Sequence, residues 1–345
     1  MLDPKQPIAI FAEATIGLIN AKAAEGMIRY GKNPVVAVID SHAAGKSVSD
    51  LCKIESEIPI VATLDEAIAM GAEVLALGTA PSGGRVPSEW IDVLQHAINA
   101  GLSIVNGLHD RLNDVLGKQL KPNQWIWDIR TPLGELPDIA TARAAMLSNT
   151  RVLMVGTDMA VGKMTAGLEV HKSLCELGAN ATFLATGQIG ISIMGTGIPL
   201  DAYRVDHAAG AVERMVIENA KYDYQIIEGQ GSLLHPGSTA NLPLMRGSCC
   251  NAMILVHRVG MEMLDTPGDI RIPPLRDVIE LNEVTASANG ALTKANVVGI
   301  ALNTRNLPAA QAADAIARTS QETGLPVTDP VRFGASVLAK CLLPA

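Results

Sequence analysis

The sequence predicts an α/β protein of two doubly wound domains, each built on a mostly parallel sheet. Its 345 residues correspond to about two domains at roughly 150 residues each. Hydrophobic residues make up 48% of the chain but aromatic residues only 3%, so the core consists of aliphatic side chains, as in strands covered by helices on both faces. Short apolar runs alternate with amphipathic stretches through both halves, which is the pattern of parallel strands joined by helices.

The first half predicts a Rossmann-like domain. The predicted strands are 8–11, 34–39, 58–62, 74–77 and 103–105, and the predicted helices are 17–30, 64–70 and 90–100. Residues 12–17 follow the first strand without the G-x-G-x-x-G spacing that lets a backbone approach a pyrophosphate. Dinucleotide binding by this half is therefore disfavoured.

The second half predicts another doubly wound domain. Residues 118–150 contain three prolines and two of the three tryptophans and mark the boundary, so we expect domains at 1–135 and 136–345. The predicted strands of the second domain are 151–155, 181–185, 224–227, 252–256 and 297–302, and its predicted helices are 162–177, 208–221, 308–323 and one within 274–288.

Charge and composition limit the partners of the protein. The formal net charge is −8, which excludes the basic field that binds nucleic acid or an anionic membrane, so we expect small-molecule substrates and neither of those partners. The N-terminus lacks a signal-peptide pattern, no apolar run approaches the ~18 residues of a membrane span, and five cysteines without C-x-x-C spacing indicate reduced thiols. We expect a cytoplasmic protein and, from the edge strands of two open sheets, a homo-oligomer.

Residues 151–165, RVLMVGTDMAVGKMT, carry the strongest chemical signal. A strand ends at Gly156, a loop of small residues follows, and Gly162 and Lys163 open a helix, which is the arrangement of a phosphate-binding P-loop. An ordinary strand-to-helix turn is the structural alternative. The predicted cofactor-binding residues are Gly156, Thr157, Asp158, Ala160, Val161, Gly162, Lys163, Met164 and Thr165.

The loop departs from G-x-x-x-x-G-K-[ST] at two places. Five residues separate Gly156 from Gly162, and Met164 stands between Lys163 and Thr165. The hydroxyl directly after the lysine normally ligates Mg²⁺, and a shift of one helical position turns it by ~100°. The loop is therefore suited to phosphate and less suited to a metal–nucleotide complex, and we expect no metal site.

Acid–base residues follow two other predicted strands. Glu228 ends the strand 224–227, where a carboxylate can act as a base or orient a metal-bound water. A helix cap or a solvated glutamate is the alternative. In the glycine-rich stretch 186–207, which we expect to be a loop, Arg204 fits a substrate carboxylate, and Asp206 fits a proton acceptor or the N-cap of a helix from residue 208.

Of the histidines, His235 follows the Glu228 loop and is a candidate for the site. The others that we considered for metal binding, His257 among them, show no metal-ligand spacing and are expected at surface or core positions.

Four segments together resemble a family of bacterial two-domain proteins, in which a Rossmann-like domain precedes a P-loop domain like that of dethiobiotin synthetase. They are residues 77–84, 156–165, 186–190 and 228–232. The characterised branch of the family is similar to D-glutamate N-acetyltransferase. The resemblance implies transfer of acetyl from acetyl-CoA to the amino group of D-glutamate in D-amino-acid catabolism, and Met164 belongs to the family's own version of the loop.

For that reaction, residue type, position and the scarcity of aromatic residues predict roles for individual residues. Lys163 and the loop amides would hold the phosphates of coenzyme A or an oxyanion, and aliphatic side chains would support the adenine ring. The expected base is Glu228, Asp206 or His235, and the expected substrate-binding residues are Arg204, Arg246 and Gln188. An ATP- and Mg²⁺-dependent ligase or kinase of the dethiobiotin synthetase type is the alternative enzyme, and a nucleotide-sensing module is the non-enzymatic one.

Overall fold

The computed structural model describes residues 2–81, 83–132 and 134–344, without the side chain of Ile19. Ser82, which belongs to the predicted 77–84 loop, lies outside the described residues. The chain forms two compact units, one from Met1–Leu133 with Gln188–Ala202 and one from Gly134–Gly187 with Tyr203–Ala345. Each unit carries a six-stranded parallel sheet, so the predicted α/β class with two doubly wound domains is confirmed.

The N-terminal unit has the strand order β3-β2-β1-β4-β5-β6, which is the Rossmann order with its reversal between β1 and β4. Its strands are β1 (Ile8–Phe11), β2 (Val35–Ile39), β3 (Ile60–Val61), β4 (Val74–Leu77), β5 (Ser103–Asn106) and β6 (Ile126–Asp128). Its first five helices are α1 (Lys22–Tyr30), α2 (Val48–Cys52), α3 (Leu64–Ala69), α4 (Ile91–Ala100) and α5 (Leu112–Leu116). Strand β6 lies within the stretch predicted to be only a boundary.

The core of this unit explains why its strands read as continuous apolar runs. All residues of β1 and β4 are buried, as expected for strands with helices on both faces. Phe11 meets Trp90 edge to face, with ring centroids 5.1 Å apart, so two of the few aromatic side chains pack together here. Gly78 directly follows β4, and a Cβ atom on it would lie 2.3 Å from Cγ2 of Ile10, so a larger residue would not fit.

The chain after residue 134 supplies the second sheet, with the strand order β12-β11-β10-β7-β9-β8. Its strands are β7 (Thr150–Gly156), β8 (Ala181–Leu184), β9 (Tyr224–Ile227), β10 (Ala252–Arg258), β11 (Asn296–Asn303) and β12 (Val327–Thr328). The helices are α6 (Lys163–Glu176), α7 (Gln188–Met194), α8 (Val205–Glu218), α9 (Asn241–Ser248), α10 (Leu275–Ser287), α11 (Ala309–Thr323) and α12 (Ser336–Lys340). Because the strands are parallel, the loops after β7, β9, β10 and β11 share one edge, with the β7 loop near its centre.

Two expectations for residues 186–207 were wrong. Residues 188–194 form helix α7, which belongs to the N-terminal unit, instead of a loop. Ile193 of this helix packs closely on α1, where a Cβ on Gly26 would lie 2.8 Å from its Cδ1. Helix α8 begins at Val205 with Arg204 at its N-cap, so Asp206 lies in the first turn and does not cap the helix.

Candidate active site

The loop after β7 presents a row of backbone donors. Strand β7 ends at Gly156, and Gly162 adopts φ +111° immediately before α6 begins at Lys163, a conformation that favours glycine. Among the described residues, the amides of residues 160–164 have no hydrogen-bond acceptor. These donors and the N-terminus of the 14-residue helix α6 form a cradle that is suited to an anion.

Lys163 is held inside this loop. Its side chain is buried, at 4% exposure, and its ammonium donates to the carbonyl oxygens of Asp158 at 2.7 Å and Met159 at 2.8 Å. Burial lowers the pKa of Lys163 to about 8, opposed by the charges of Asp158 and Glu228. The ammonium therefore stays mostly protonated at neutral pH and places a positive charge under the loop.

Two glycines permit the close packing around this lysine. A Cβ atom on Gly156 would lie 2.9 Å from Cγ2 of Val161 and 3.2 Å from the Lys163 ammonium. A Cβ atom on Gly229 would lie 1.6 Å from the carbonyl oxygen of Met154 and 3.1 Å from Cδ of Lys163. Both positions need glycine for space, because the ends of β7 and β9 approach each other across the lysine stem.

Glu228 directly follows β9 and is buried, at 3% exposure, so the solvated-glutamate alternative is wrong. One carboxylate oxygen accepts from the amides of Thr186 at 2.8 Å and Gly187 at 3.0 Å, and the Thr186 hydroxyl donates to the Glu228 carbonyl at 2.8 Å. Burial raises the pKa of Glu228 to about 7, while these amides and the Lys163 charge oppose the rise. A carboxyl poised near neutral pH is suited to proton transfer.

Three contacts hold the loop from the β10 and β11 side. The Thr157 hydroxyl lies 3.0 Å from Nδ1 of His257. Asp158, buried at the loop entrance, accepts from the amide of Asp265 at 2.9 Å. The Asn303 side chain donates to the carbonyl of Val161 at 3.1 Å, so residues of the neighbouring strands and loops hold the loop in place.

His257 is the residue of this group whose place the sequence reasoning missed. It was expected only as a surface or core histidine, yet it is half-buried beside the loop because β10 pairs with β7 up to Val256 and Gly156. Burial, reinforced by the charge of Arg258, lowers the pKa of His257 to about 4. Its position at the end of a predicted strand next to the loop strand was the available signal.

The remaining predicted loop residues differ in accessibility. Ala160 is exposed at the tip of the loop, Val161 is buried, and Met164 and Thr165 are half-buried in the first turn of α6. Because Thr165 is the third residue of the helix rather than the second, its hydroxyl does not occupy the position that normally serves the metal ion in P-loops.

The other predicted site residues occupy different surroundings. His235 is half-buried, and its two ring nitrogens contact the amide of Gly237 at 3.1 Å and the carbonyl of Thr266. Arg204 and Asp206 are exposed at the start of α8. None of these placements assigns a catalytic role, and the roles stay predictions.

Two predicted substrate-binding residues have structural surroundings that the sequence did not indicate. Arg246 donates to the carbonyls of Thr285 at 2.9 Å and Ala286 at 3.1 Å, at the C-terminal end of α10. Gln188 begins α7 in the N-terminal unit, where its side chain lies beside Gly107. The structure thus brings Lys163 and Glu228 together, and it provides Arg246 with protein partners.

Neither bilayer-crossing helices nor clustered metal ligands occur in the part of the chain that the structure describes. No helix among these residues combines the length and the apolarity that a membrane span requires. Within the same residues, no group of three or more His, Cys, Asp or Glu side chains could hold a metal ion.

Comparison with known proteins identifies the family. Residues 138–339 match the P-loop domain described as DUF1611_C, a domain of unknown function, and residues 41–132 match the Rossmann-like domain DUF1611_N. The chain belongs to the DUF1611 family. The two-domain resemblance expected from the sequence is confirmed.

Known proteins match most of the length of this DUF1611 chain. A D-glutamate N-acetyltransferase from Pseudoalteromonas sp is 35% identical over 273 residues, covering 78% of this chain and 81% of the relative. A D-glutamate N-acetyltransferase from Tritonibacter scottomollicae is 35% identical over 285 residues, covering 81% and 84%. The crystal structure of a DUF1611 protein from Anabaena variabilis superposes with a TM-score of 0.93 at 46% identity, covering 98% and 99% of the two chains.

Proposed function

We propose that this DUF1611 protein is a cytoplasmic N-acetyltransferase that moves acetyl from acetyl-CoA to the amino group of D-glutamate, in D-amino-acid catabolism. Two relatives that carry this activity in their names align with about four-fifths of the chain. The structural observation that carries the proposal is the buried Glu228 carboxyl, whose pKa of about 7 suits a base for an amine.

The P-loop residues fit coenzyme A as well as they fit a nucleotide. Coenzyme A carries a pyrophosphate, and the unpaired amides of residues 160–164 with the Lys163 ammonium are the donors that such an anion needs. Acetyl transfer requires no hydrolysis of that pyrophosphate. The displaced Thr165 hydroxyl, which weakens the case for a bound metal–nucleotide, is therefore no obstacle to this ligand.

The chemistry assigns a proton path to Glu228. The ammonium group of glutamate gives up a proton to the ionised carboxylate, and the free amine attacks the thioester carbonyl. A C–N bond forms and the C–S bond breaks. The departing thiolate takes the second proton of the nitrogen, and Glu228 releases the first proton to solvent. A backbone donor that the pyrophosphate does not occupy stabilises the oxyanion that forms between these steps.

Residue type and position assign the remaining roles in the proposal. Arg204, exposed at the start of α8, is proposed to bind a substrate carboxylate, and Asp206 and His235 remain alternative bases. Arg246 would have to exchange its two carbonyl partners for a carboxylate before it could bind substrate, and Gln188 remains a predicted substrate contact.

A thiol-release assay tests the proposal and separates it from the ligase or kinase alternative. Purified protein is incubated with acetyl-CoA and D- or L-glutamate, with and without EDTA, while free thiol and N-acetylglutamate are measured. We expect thiol release with D-glutamate, insensitive to EDTA. The absence of thiol release with both isomers would overturn the proposal, and Mg²⁺-dependent formation of ADP or AMP from ATP would favour the alternative.

The oligomeric state and the ligand classes follow from the sheet edges and the net charge. We propose a homo-oligomer that acts on small molecules and binds no nucleic acid or membrane, because open sheets leave edge strands and the net charge is −8. Light scattering of the purified protein gives the oligomeric state, and a monomer at micromolar concentration would contradict the oligomer.

A further inference from the structure

Two exposed arginines lie on the same sheet edge as the P-loop. Arg305 follows β11 and Arg332 follows β12, and neither forms an ion pair with a carboxylate of the described residues. Because β11 is the second strand from β7 in the sheet and neighbouring strands are about 4.8 Å apart, the Arg305 loop begins about 10 Å from the P-loop.

The Arg305 loop is tied to the P-loop by a single side chain. Asn303 donates through its amide nitrogen to the Val161 carbonyl at 3.1 Å and accepts through its amide oxygen from the Arg305 backbone at 3.2 Å. Both ends of the Asn303 amide are thus used within the protein. This residue fixes the position of Arg305 relative to the anion cradle.

The Arg332 loop is in turn tied to the Arg305 loop by a buried carboxylate. One oxygen of Asp329 accepts from the amide of Thr304 at 2.9 Å and from its hydroxyl at 2.5 Å. The other accepts from the amides of Val331 and Arg332, both at 3.0 Å. The carboxylate is therefore occupied by four donors, and it orders both loops.

The two guanidinium groups differ in their hydrogen bonds to the rest of the protein. One nitrogen of Arg332 donates to the Leu307 carbonyl at 2.9 Å, which leaves its other donors for solvent or ligand. No hydrogen bond from the Arg305 guanidinium to a described residue is formed. The neighbouring Val331 and Phe333 are about half exposed, so apolar surface accompanies the charge.

We propose that Arg305 and Arg332 bind the 3′-phosphate of coenzyme A, while Val331 and Phe333 provide apolar support for its adenine ring. This assignment adds one aromatic side chain, Phe333, to the aliphatic support expected from the sequence. This inference rests on the proposed function, since it takes the pyrophosphate of the same molecule to occupy the P-loop. The 3′-phosphate distinguishes coenzyme A from ATP and ADP, and guanidinium groups are suited to bind it bidentately. The loops of β11 and β12 therefore select the acetyl donor.

Calorimetric binding of coenzyme A and 3′-dephospho-coenzyme A to the full chain tests this inference without requiring catalysis. We expect the wild-type protein to bind coenzyme A at least about tenfold more tightly than 3′-dephospho-coenzyme A. This is the order of magnitude expected for a hydrogen bond to a charged group. The preference should shrink in Arg305→Ala and disappear in the Arg305→Ala, Arg332→Ala double variant. It should also fall as ionic strength rises, because both arginines are exposed.

Arg318→Ala is the matched control, because Arg318 is also exposed but lies in the C-terminal half of α11, away from the edge where that helix begins. It should keep the wild-type preference, and Arg305→Lys should restore part of it. Equal affinity of the wild-type protein for the two ligands, or no binding of coenzyme A, would overturn the inference. If the protein transferred acetyl equally well from acetyl-CoA and from its 3′-dephospho form, the inference would be overturned but the proposed function would stand. If it bound coenzyme A selectively but transferred no acetyl, the proposed function would be overturned but the inference would stand.

Discussion

Replacing Glu228 by Gln should raise the free energy of unfolding above neutral pH. In acid, the variant and the wild-type protein should have similar stability. Burial raises the pKa of Glu228 from 4.5 to about 7, so the folded protein binds this proton more tightly than the unfolded chain does. The wild-type protein therefore loses stability as the pH rises from about 4.5 through about 7. At about 1.36 kcal/mol per pKa unit, the ionised carboxylate costs the fold ~3 kcal/mol, which a neutral glutamine avoids.

Urea unfolding at about pH 5 and about pH 8 measures this difference. From the lower to the higher pH, the free energy of unfolding of the variant should rise by ~3 kcal/mol relative to that of the wild-type protein. This figure already includes the attraction of Lys163, because that attraction opposes the rise in the pKa of Glu228. Glu176→Gln is the control, since Glu176 is largely exposed and carries little burial penalty. Stability curves of Glu228→Gln and wild type that stay parallel across pH would show that burial does not raise the pKa of Glu228.

The same variant tests the catalytic role of the carboxylate. Glutamine is close in shape and retains an oxygen that can accept from the Thr186 amide, but it cannot take a proton from the substrate. We expect acetyl transfer to fall by ~10²–10⁴-fold, with the affinity for acetyl-CoA nearly unchanged. The wild-type rate should rise with pH through about 7, as the carboxyl with that pKa ionises. A variant with wild-type turnover would move the base to Asp206 or His235.

Three residues in or beside the P-loop give further predictions. Lys163→Ala should raise the KM for acetyl-CoA by at least about tenfold, as loss of a charged hydrogen-bond donor does, and an unchanged KM would contradict the assigned phosphate contact. Gly229→Ala should lower the free energy of unfolding by about 1–3 kcal/mol or more, because its Cβ would collide with the Met154 carbonyl, whereas Gly268→Ala, with no atom nearer than 3.9 Å, should be well tolerated in urea unfolding. His257, whose pKa burial lowers to about 4, should show no imidazole titration by NMR above about pH 5. A midpoint at the ordinary histidine pKa of 6.5 would show that the imidazole is not desolvated.

The fold could be predicted where the hydrophobic pattern and the loop residues of one short segment indicate the same structure. Strand β7 ends at Gly156 and α6 begins at Lys163, as the loop motif predicted, because a buried apolar run, small loop residues and a helix start each leave a signal in the sequence. Helix α7 left no such signal, since Gly190 and Ser192 interrupt its apolar residues and its stability comes from burial against α1.

Short edge strands and side-chain partners were harder to predict. Strand β12 contains only Val327 and Thr328, too few residues for an alternating pattern, and it exists because β11 offers a neighbour. The position of Glu228 at a strand end was predictable, but its buried state depends on Thr186 and Gly187 from another loop. The capping contacts of Arg246 join residues 39 and 40 positions apart, which no local pattern reveals.

A crystal structure of the protein with coenzyme A would show directly whether the P-loop holds the cofactor. We expect the pyrophosphate on the amides of residues 160–164, with the Lys163 ammonium turned from the carbonyls of Asp158 and Met159 toward phosphate oxygens. The thiol end should then lie within reach of Glu228. Coenzyme A bound elsewhere, with Lys163 still on those two carbonyls, would rule out the proposed cofactor site.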